Sequence, residues 1–272
     1  MRVAYENVTF SYGEYPALHR VSFEIESGST TLIVGRNGSG KSTLLKLMNG
    51  ILKPSHGKVI IGQTDTREKK VSELSRSCAL CFQNPDDQLF ADTVSKELNF
   101  GIKNIGTDGN LLDLVVTTLG LTPLLNSNPY SLSYAMRRLV AIGSVAAMNT
   151  PILALDEPTA GLSFKEKEKV SSLLQNLQNR GKTLFVVSHD LNFALPMCKN
   201  FLLLDRGTVG FFGNKDEFFS KNDIRRVMRS SGMTFPIYPR MAKALGLKRP
   251  AFTCNELLAA LKADIAFESD SR

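Results

Sequence analysis

Along the chain, short apolar runs alternate with longer amphipathic stretches. Thr30-Thr-Leu-Ile-Val34, Val59–Ile61, Cys78–Phe82, Ile152–Leu155, Leu184–Val187 and Phe201–Leu204 are brief and mostly rich in aliphatic or aromatic residues. They predict buried strands rather than buried helices. Between them, segments such as Lys41 to Asn49 and Phe164 to Arg180 carry the spacing of helices with one apolar face. The first thirty residues read instead as alternating strands, Val8-Thr-Phe10 and Val21-Ser-Phe-Glu-Ile25, separated by turn residues. Strands that alternate with helices predict an α/β fold, a largely parallel mixed sheet flanked by helices on both faces.

Residues 88–149 interrupt this rhythm. They hold leucine-rich helical stretches without a convincing buried strand, which predicts a helical subdomain inserted between two parts of a core, 1–87 and 150–231. From about residue 232 onward, Pro236, Pro239 and Pro250 separate short helical segments, and a small C-terminal lobe, 232–272, is expected. Neither an internal repeat nor a flexible linker is visible.

Composition narrows the setting. The chain has 272 residues, of which 43% are hydrophobic, enough for a sizeable core. Its longest nearly unbroken apolar run, Leu139 to Met148, is far short of the roughly 20 residues that cross a bilayer. The opening MRVAYENVTF lacks the apolar core of a secretory signal. These features lead us to expect a cytoplasmic protein whose membrane work passes through a partner. Cys78, Cys81, Cys198 and Cys254 suit a reducing compartment, and the pair Cys78-Ala-Leu-Cys81 lies in a strand-like run without the second ligand pair a zinc site needs. The net charge of +7 invites a nucleic-acid reading. The basic excess gathers at Lys221, Arg225, Arg226, Arg229, Arg240, Lys243, Lys248 and Arg249 around a single acid, Asp223. No stacking platform or groove-reading motif accompanies it, so we expect no nucleic acid. A solvated helix face and a surface for anionic lipid or an acidic partner both remain open.

The sharpest chemistry lies in Gly35-Arg36-Asn37-Gly38-Ser39-Gly40-Lys41-Ser42, followed by Thr43. This matches G-x-x-x-x-G-K-[ST] between a predicted strand and a helix, the setting a phosphate-binding P-loop requires. Glycines let backbone N–H groups wrap phosphate oxygens. Lys41 supplies a point charge to the β- and γ-phosphates, and Ser42 a hydroxyl to Mg²⁺. A second buried strand delivers Asp156 and Glu157 at its end. There Asp156 can hold the Mg²⁺ shell, and Glu157 can take a proton from, or orient, the attacking water.

With these residues on the page, the chain resembles the ATP-binding subunits of ABC transporters, P-loop NTPases of ABC type with a RecA-like core. Asp156-Glu-Pro-Thr-Ala-Gly-Leu162 looks like that family's extended Walker B, and Ser188-His189-Asp190 resembles its switch-histidine motif. Phe82-Gln83-Asn-Pro-Asp-Asp-Gln-Leu-Phe90 looks like the Q-loop in the longer form of energy-coupling-factor importers for vitamins, cobalt or nickel. Phe10-Ser-Tyr12 matches the A-loop, whose ring stacks on adenine. The resemblance covers residues 1 to about 230 and extends more loosely to the tail. It implies ATP and Mg²⁺ as cofactors. Gln83 is implied to reach Mg²⁺ and the attacking water, His189 to donate toward the γ-phosphate, and Tyr12 to stack on the base.

Two departures stand out. The family signature Leu-Ser-Gly-Gly-Gln is here Leu132-Ser133-Tyr134-Ala135-Met136, followed by Arg137 and Arg138. The aspartate expected after Gly161-Leu162 is Ser163. In this family two ATP-binding subunits pair head to tail, and each signature, with Ser133 as its polar remnant here, completes the other's site. The resemblance therefore implies a heterodimer with one degenerate site, a second ATPase subunit with an intact signature, and a transmembrane coupling subunit with a substrate-binding membrane subunit. It places the chain on the cytoplasmic face of the cell membrane. Two alternatives stay in view: a regulatory nucleotide-binding module with little turnover, and a soluble ABC ATPase unconnected with transport. The intact Glu157 and His189 argue against the first. The second would call for a long coiled-coil insertion or two cassettes in one chain.

Overall fold

The structure is a computed structural model that describes residues 1–220, 228–229, 233–247 and 250–270, with 263–270 described by backbone alone. Its frame is a six-stranded sheet. In chain order the relevant strands are β3 (Thr30–Val34), β6 (Cys78–Cys81), β7 (Ile152–Asp156), β8 (Thr183–Val187), β9 (Asn200–Asp205) and β10 (Thr208–Asn214). They lie in the order β10-β9-β3-β8-β7-β6. All neighbours are parallel except β10, which returns antiparallel along β9 at the edge. A second sheet of β1 (Val3–Tyr12), β2 (Tyr15–Ile25), β4 (His56–Ile61) and β5 (Thr64–Asp65) is antiparallel, in the order β2-β1-β4-β5.

Every residue of β3, β6, β7 and β8 is buried, and successive side chains feed opposite faces. Ile33, Ile152, Ala154, Phe185 and Val187 join a core shared with the antiparallel sheet and with helix α1 (Lys41–Met48). Leu32, Val34, Leu153, Leu155 and Val186 join the other core, which packs under helices α3 (Val94–Ile105), α4 (Leu112–Leu119), α5 (Tyr134–Ala147) and α6 (Phe164–Asn179). Tyr5 ties the first core together: its ring stacks on Phe23 at 4.5 Å, and its hydroxyl donates to Leu44 O at 2.7 Å. Cys78 and Cys81, three residues apart on β6, fall in different cores and so face opposite sides of the sheet. Burial raises their thiol pKa values to about 12 and about 11, so they act as packing residues rather than a pair.

Between β6 and β7 the described chain is helical, with α3, α4 and α5 joined by short 3₁₀ turns. α5 is buried from Arg138 to Ala147, and the apolar run Leu139–Met148 is therefore a core helix. Besides the four-residue helix α2 (Val71–Leu74), two strands escape the sequence pattern, β5 and β10. The first is only two residues long, and the second breaks its alternation with Gly210 and Gly213. At the C-terminal end, the helices Ile237–Ala244 and Cys254–Asp270 enclose a small cluster of Ala242, Ala251 and Leu257. Phe252 instead enters the main core, stacked edge-on against Phe219 at 5.4 Å. Of the basic stretch, Lys221, Asp223, Arg225, Arg226, Lys248 and Arg249 lie outside the described residues, while Arg229, Arg240 and Lys243 are exposed. Among the described residues no helix is long and apolar enough to cross a membrane.

Candidate functional site

Four adjacent parallel strands end along one edge of the sheet, and each hands its last residue to a loop. β3 runs into the glycine-rich loop, β6 into Phe82-Gln83, β7 into Asp156-Glu157, and β8 into Ser188-His189. Such an edge is where ligands bind in open α/β sheets. A cleft of about 490 Å³ opens there, lined by Tyr12, Tyr15, Asn37, Gly38, Gly40, Lys41, Ser42, Thr43, Gln83, Asp156, Glu157 and His189. Beside it a second hollow is lined by Arg36, Asn37, Gln83, Glu157, Ala160 and His189. Tyr12, Gln83, Asp156, Glu157, His189 and most of the P-loop thus converge, from strands far apart in sequence.

The loop's shape follows from its glycines. Gly35 has φ +152°, and a Cβ there would lie 2.2 Å from Leu204 O. Gly40, the N-cap of α1, has φ +100°, and its Cβ would meet Ala17 O at 2.7 Å. No other residue fits either position without moving backbone. The turn between β9 and β10 braces the loop from outside, because Gly207 N–H donates to Ser39 O at 3.2 Å while Gly207 O accepts from His19 N–H at 2.8 Å. Lys41 is nearly buried and its ammonium donates to Gly35 O at 2.9 Å and Arg36 O at 3.0 Å. Burial lowers its pKa, and the charges of Glu157 and Asp156 oppose that shift.

Glu157 is held in an unusual way. Its backbone has φ +50°, a left-handed conformation that side chains with a Cβ seldom adopt. Its N–H donates to Val187 O at 2.9 Å, and its Oε2 accepts from His189 N–H at 3.2 Å. Oε1 is buried without a hydrogen-bond partner and lies 3.3 Å from His189 Nε2. Burial raises the carboxyl pKa, the His189 N–H opposes it, and Asp156 adds to the rise. His189 is shifted down, first by burial and then by the Lys41 charge. Both shifts disfavour the charged form of the group, so charge adds little to the 3.3 Å contact.

Tyr12 and Tyr15 face each other across the β1–β2 turn and both line the cleft, whereas Tyr5 is buried in the core. Tyr12 is half exposed, its hydroxyl 3.3 Å from Thr43 Oγ1 and its ring edge-on to Phe10 at 4.9 Å. The hydroxyl of Ser39 is buried without a partner. Ser133 lines neither hollow. Its Oγ caps α5 by accepting from Met136 N–H at 3.3 Å. Ser163 likewise caps α6, where its N–H donates to Glu166 Oε2 at 2.6 Å. Tyr134 covers Gly161, so closely that a Cβ there would lie 2.7 Å from its Cε1.

Sequence reasoning missed three supporting residues. Arg138 is fully buried beneath the carboxylates. Gln88 accepts from Phe82 N–H at 3.1 Å and donates to Ala141 O at 2.8 Å. Buried Glu97 accepts from Phe90 N–H at 2.9 Å and Ala91 N–H at 2.8 Å. Of these, Arg138 and Gln88 left a trace in the sequence only as polar residues beside apolar ones.

A family description, "ABC transporter", matches residues 18–160. The energy-coupling factor transporter ATP-binding protein EcfA2 of Streptococcus sanguinis is 33% identical over 267 residues, spanning 93% of this chain and 95% of the relative. Among solved structures, that of cbiO1 from Clostridium perfringens, part of the ABC transporter complex cbiONQ, is 30% identical with a TM-score of 0.71. It covers 89% of this chain and 98% of its own. The ATP-binding cassette MJ0796, solved as a dimer in a post-hydrolysis state bound to ADP and Pi, is 30% identical with a TM-score of 0.67, covering 78% and 98%.

Proposed function

This chain belongs to the ABC transporter family of ATP-binding proteins, and we propose that it hydrolyses ATP to energise a membrane importer of the energy-coupling-factor type. The convergence of Lys41, Asp156, Glu157, Gln83 and His189 on one cleft carries this reading. In it, residues 1–87 and 150–231 form the nucleotide-binding core, 88–149 the helical subdomain, and 232–272 an accessory lobe. The phosphates lie in the P-loop against Lys41, and Tyr12 stacks on adenine. The site also fits a metal: Ser42 and Asp156 on the cleft wall are the hard oxygen donors that Mg²⁺ selects. Bound there, Mg²⁺ offsets the phosphate charge.

Glu157 accepts the proton of a water directed at the γ-phosphate. Its partnerless Oε1 is an acceptor already stripped of solvent, and its raised pKa brings the carboxylate nearer the operating pH of a general base. Gln83 and the largely neutral His189 supply donors on either side of that water and the transferred phosphoryl group. The chain acts as one half of a pair. Its P-loop, Asp156 and Glu157 build one site with an intact signature from a second ATPase, and its own altered signature, Ser133 within Leu132–Met136, serves the weaker site. A coupling subunit and a substrate-binding subunit in the membrane complete the machine, and nucleic acid has no part in it. The test is purification of the complex from membranes with identification of its subunits and assay of Mg²⁺-dependent ATP hydrolysis. Recovery of the chain without membrane subunits, or turnover indifferent to Mg²⁺, would sink the reading.

A further inference from the structure

Arg138 is the largest fully buried side chain among the described residues and sits one turn into α5. A buried guanidinium normally finds a carboxylate. Here every hydrogen-bond acceptor among the described residues is a main-chain carbonyl. Nη1 donates to Phe82 O, while Nη2 donates to Asp156 O and, at 2.7 Å, to Glu157 O. Those carbonyls belong to two different loops, the end of β6 that carries Gln83 and the end of β7 that carries both acidic residues.

The neighbouring contacts show that α5 and the Gln83 loop form one unit. Arg137 pairs with Asp86 at 2.9 Å. Gln88 bridges Phe82 N–H to Ala141 O and to Ser144 Oγ, the last at 3.0 Å. The first turn of that same helix carries the altered signature segment. Across the sheet the left-handed backbone of Glu157 is gripped on both sides, its N–H by Val187 O and its C=O by Arg138. Arg138 is the one side chain among the described residues that bonds both to this unit and to Glu157. A single planar fork can hold three carbonyls at fixed angles, which an ammonium on a flexible stem cannot.

We infer that Arg138 is a positioning residue for hydrolysis: it fixes the strained backbone of Glu157 to the Gln83 loop and the signature helix, so that the carboxylate takes its working orientation only when these elements are correctly seated. The inference rests on the reading of Glu157 as the base. It goes beyond that reading by naming how the helical insertion reaches the carboxylate.

The test uses the complex with its native partner ATPase and two substitutions, Arg138→Lys and Arg138→Gln, each checked for folding by thermal melting. The expected result is a loss of about tenfold or more in kcat, because small misplacements of reacting groups are costly. The dissociation constant for trinitrophenyl-ATP should change by less than about twofold, since no contact of Arg138 reaches the P-loop. In a Glu157→Gln background, either substitution should add less than about twofold, because a group that acts through Glu157 has nothing left to orient. Equal losses in the two backgrounds, or a parallel loss of nucleotide affinity, would overturn the assignment. So would a failure of both variants to fold, which would class Arg138 with the core. Normal turnover in Glu157→Gln alone is a distinct outcome, and it would remove the base reading on which the proposal stands.

Discussion

In the proposed function the cleft and the signature segment serve the same chemistry, yet the fold constrains them differently. Cleft residues are fixed twice, once by the ligand they face and once by their own backbone. Gly35 cannot gain a Cβ without striking Leu204 O, and Glu157 keeps a left-handed conformation under hydrogen bonds from both sides. The signature segment is fixed once. Ser133 and Ser163 cap helices α5 and α6, roles that any good N-cap residue fills, and Tyr134 finds packing over Gly161. Loss of a signature glycine therefore costs the monomer little, while loss of a P-loop glycine disrupts it. If the proposed pairing holds, the contrast accounts for a chain that keeps one half of a shared site and lets the other half change.

The largest test of this contrast is Glu157→Gln in this chain only, measured in the complex with its partner. Steady-state turnover should fall by about a hundredfold or more, the usual worth of a general base, with nucleotide still bound. The equivalent substitution in the partner should cost less than about twofold, because the site it serves is completed by Tyr134 and Ala135 instead of glycines, a loss of preorganised donors worth ~3 kcal/mol. Equal effects from the two substitutions would break the comparison.

Lys41→Ala comes next. It removes a charge-assisted contact worth about 1.5–3 kcal/mol, which corresponds to a weakening of ATP binding by about tenfold to hundredfold. A titration of the purified chain with fluorescent nucleotide reads it directly, and unchanged affinity would separate Lys41 from the phosphates.

Residues constrained twice are also the ones the sequence displays. The buried runs of β3, β6, β7 and β8 and the P-loop match could be read from residue type and spacing alone, because burial on both faces permits few residues there. The edge strand β10, interrupted by Gly210 and Gly213, offers no such pattern. Arg138 and Gln88 were visible only as polar residues near apolar ones. The partners of Arg138 are main-chain carbonyls 18 to 56 residues away, and Gln88 joins Phe82 N–H to Ala141 O, 53 residues from it; no spacing rule encodes such bonds. The left-handed backbone of Glu157 was equally hidden, since it is imposed by β8 and α5 rather than by local preference.

Tyr134→Gly sharpens the other side of the comparison. In a complex silenced by Glu157→Gln in this chain, the remaining turnover comes from the partner's site. Ala135 and Met136 still depart from the signature, so only part of the lost stabilisation returns. A recovery of ~1 kcal/mol would raise that residual rate about fivefold. The cost in stability stays near or below about 1 kcal/mol, the usual penalty of glycine in a helix, and is smaller still in the first turn. A residual rate that falls on this substitution would show that Tyr134 is an active part of the interface and not a relic.

The smallest effect is a shift in stability that only the cleft should show. Burial raises the Glu157 carboxyl pKa above its ordinary value, so the folded chain holds that proton where the unfolded chain has released it. Linkage then gives the sign. The contribution is intact below the unfolded value, near about pH 4, and is lost as pH rises through the higher folded value, leaving ionised Glu157 a net cost at neutral pH. Glu157→Gln removes the cost, so its melting temperature should exceed that of the natural chain at pH 7, and the difference should shrink as pH falls toward 4. Tyr134→Gly introduces no ionisable group near these carboxylates, so its melting shift should be the same at both pH values. Differential scanning fluorimetry of the three proteins without nucleotide measures both. A Glu157→Gln increment that does not change with pH, or that grows on acidification, would mean that the carboxylate is not held at a cost, and the claim that the cleft is constrained twice would lose its energetic support.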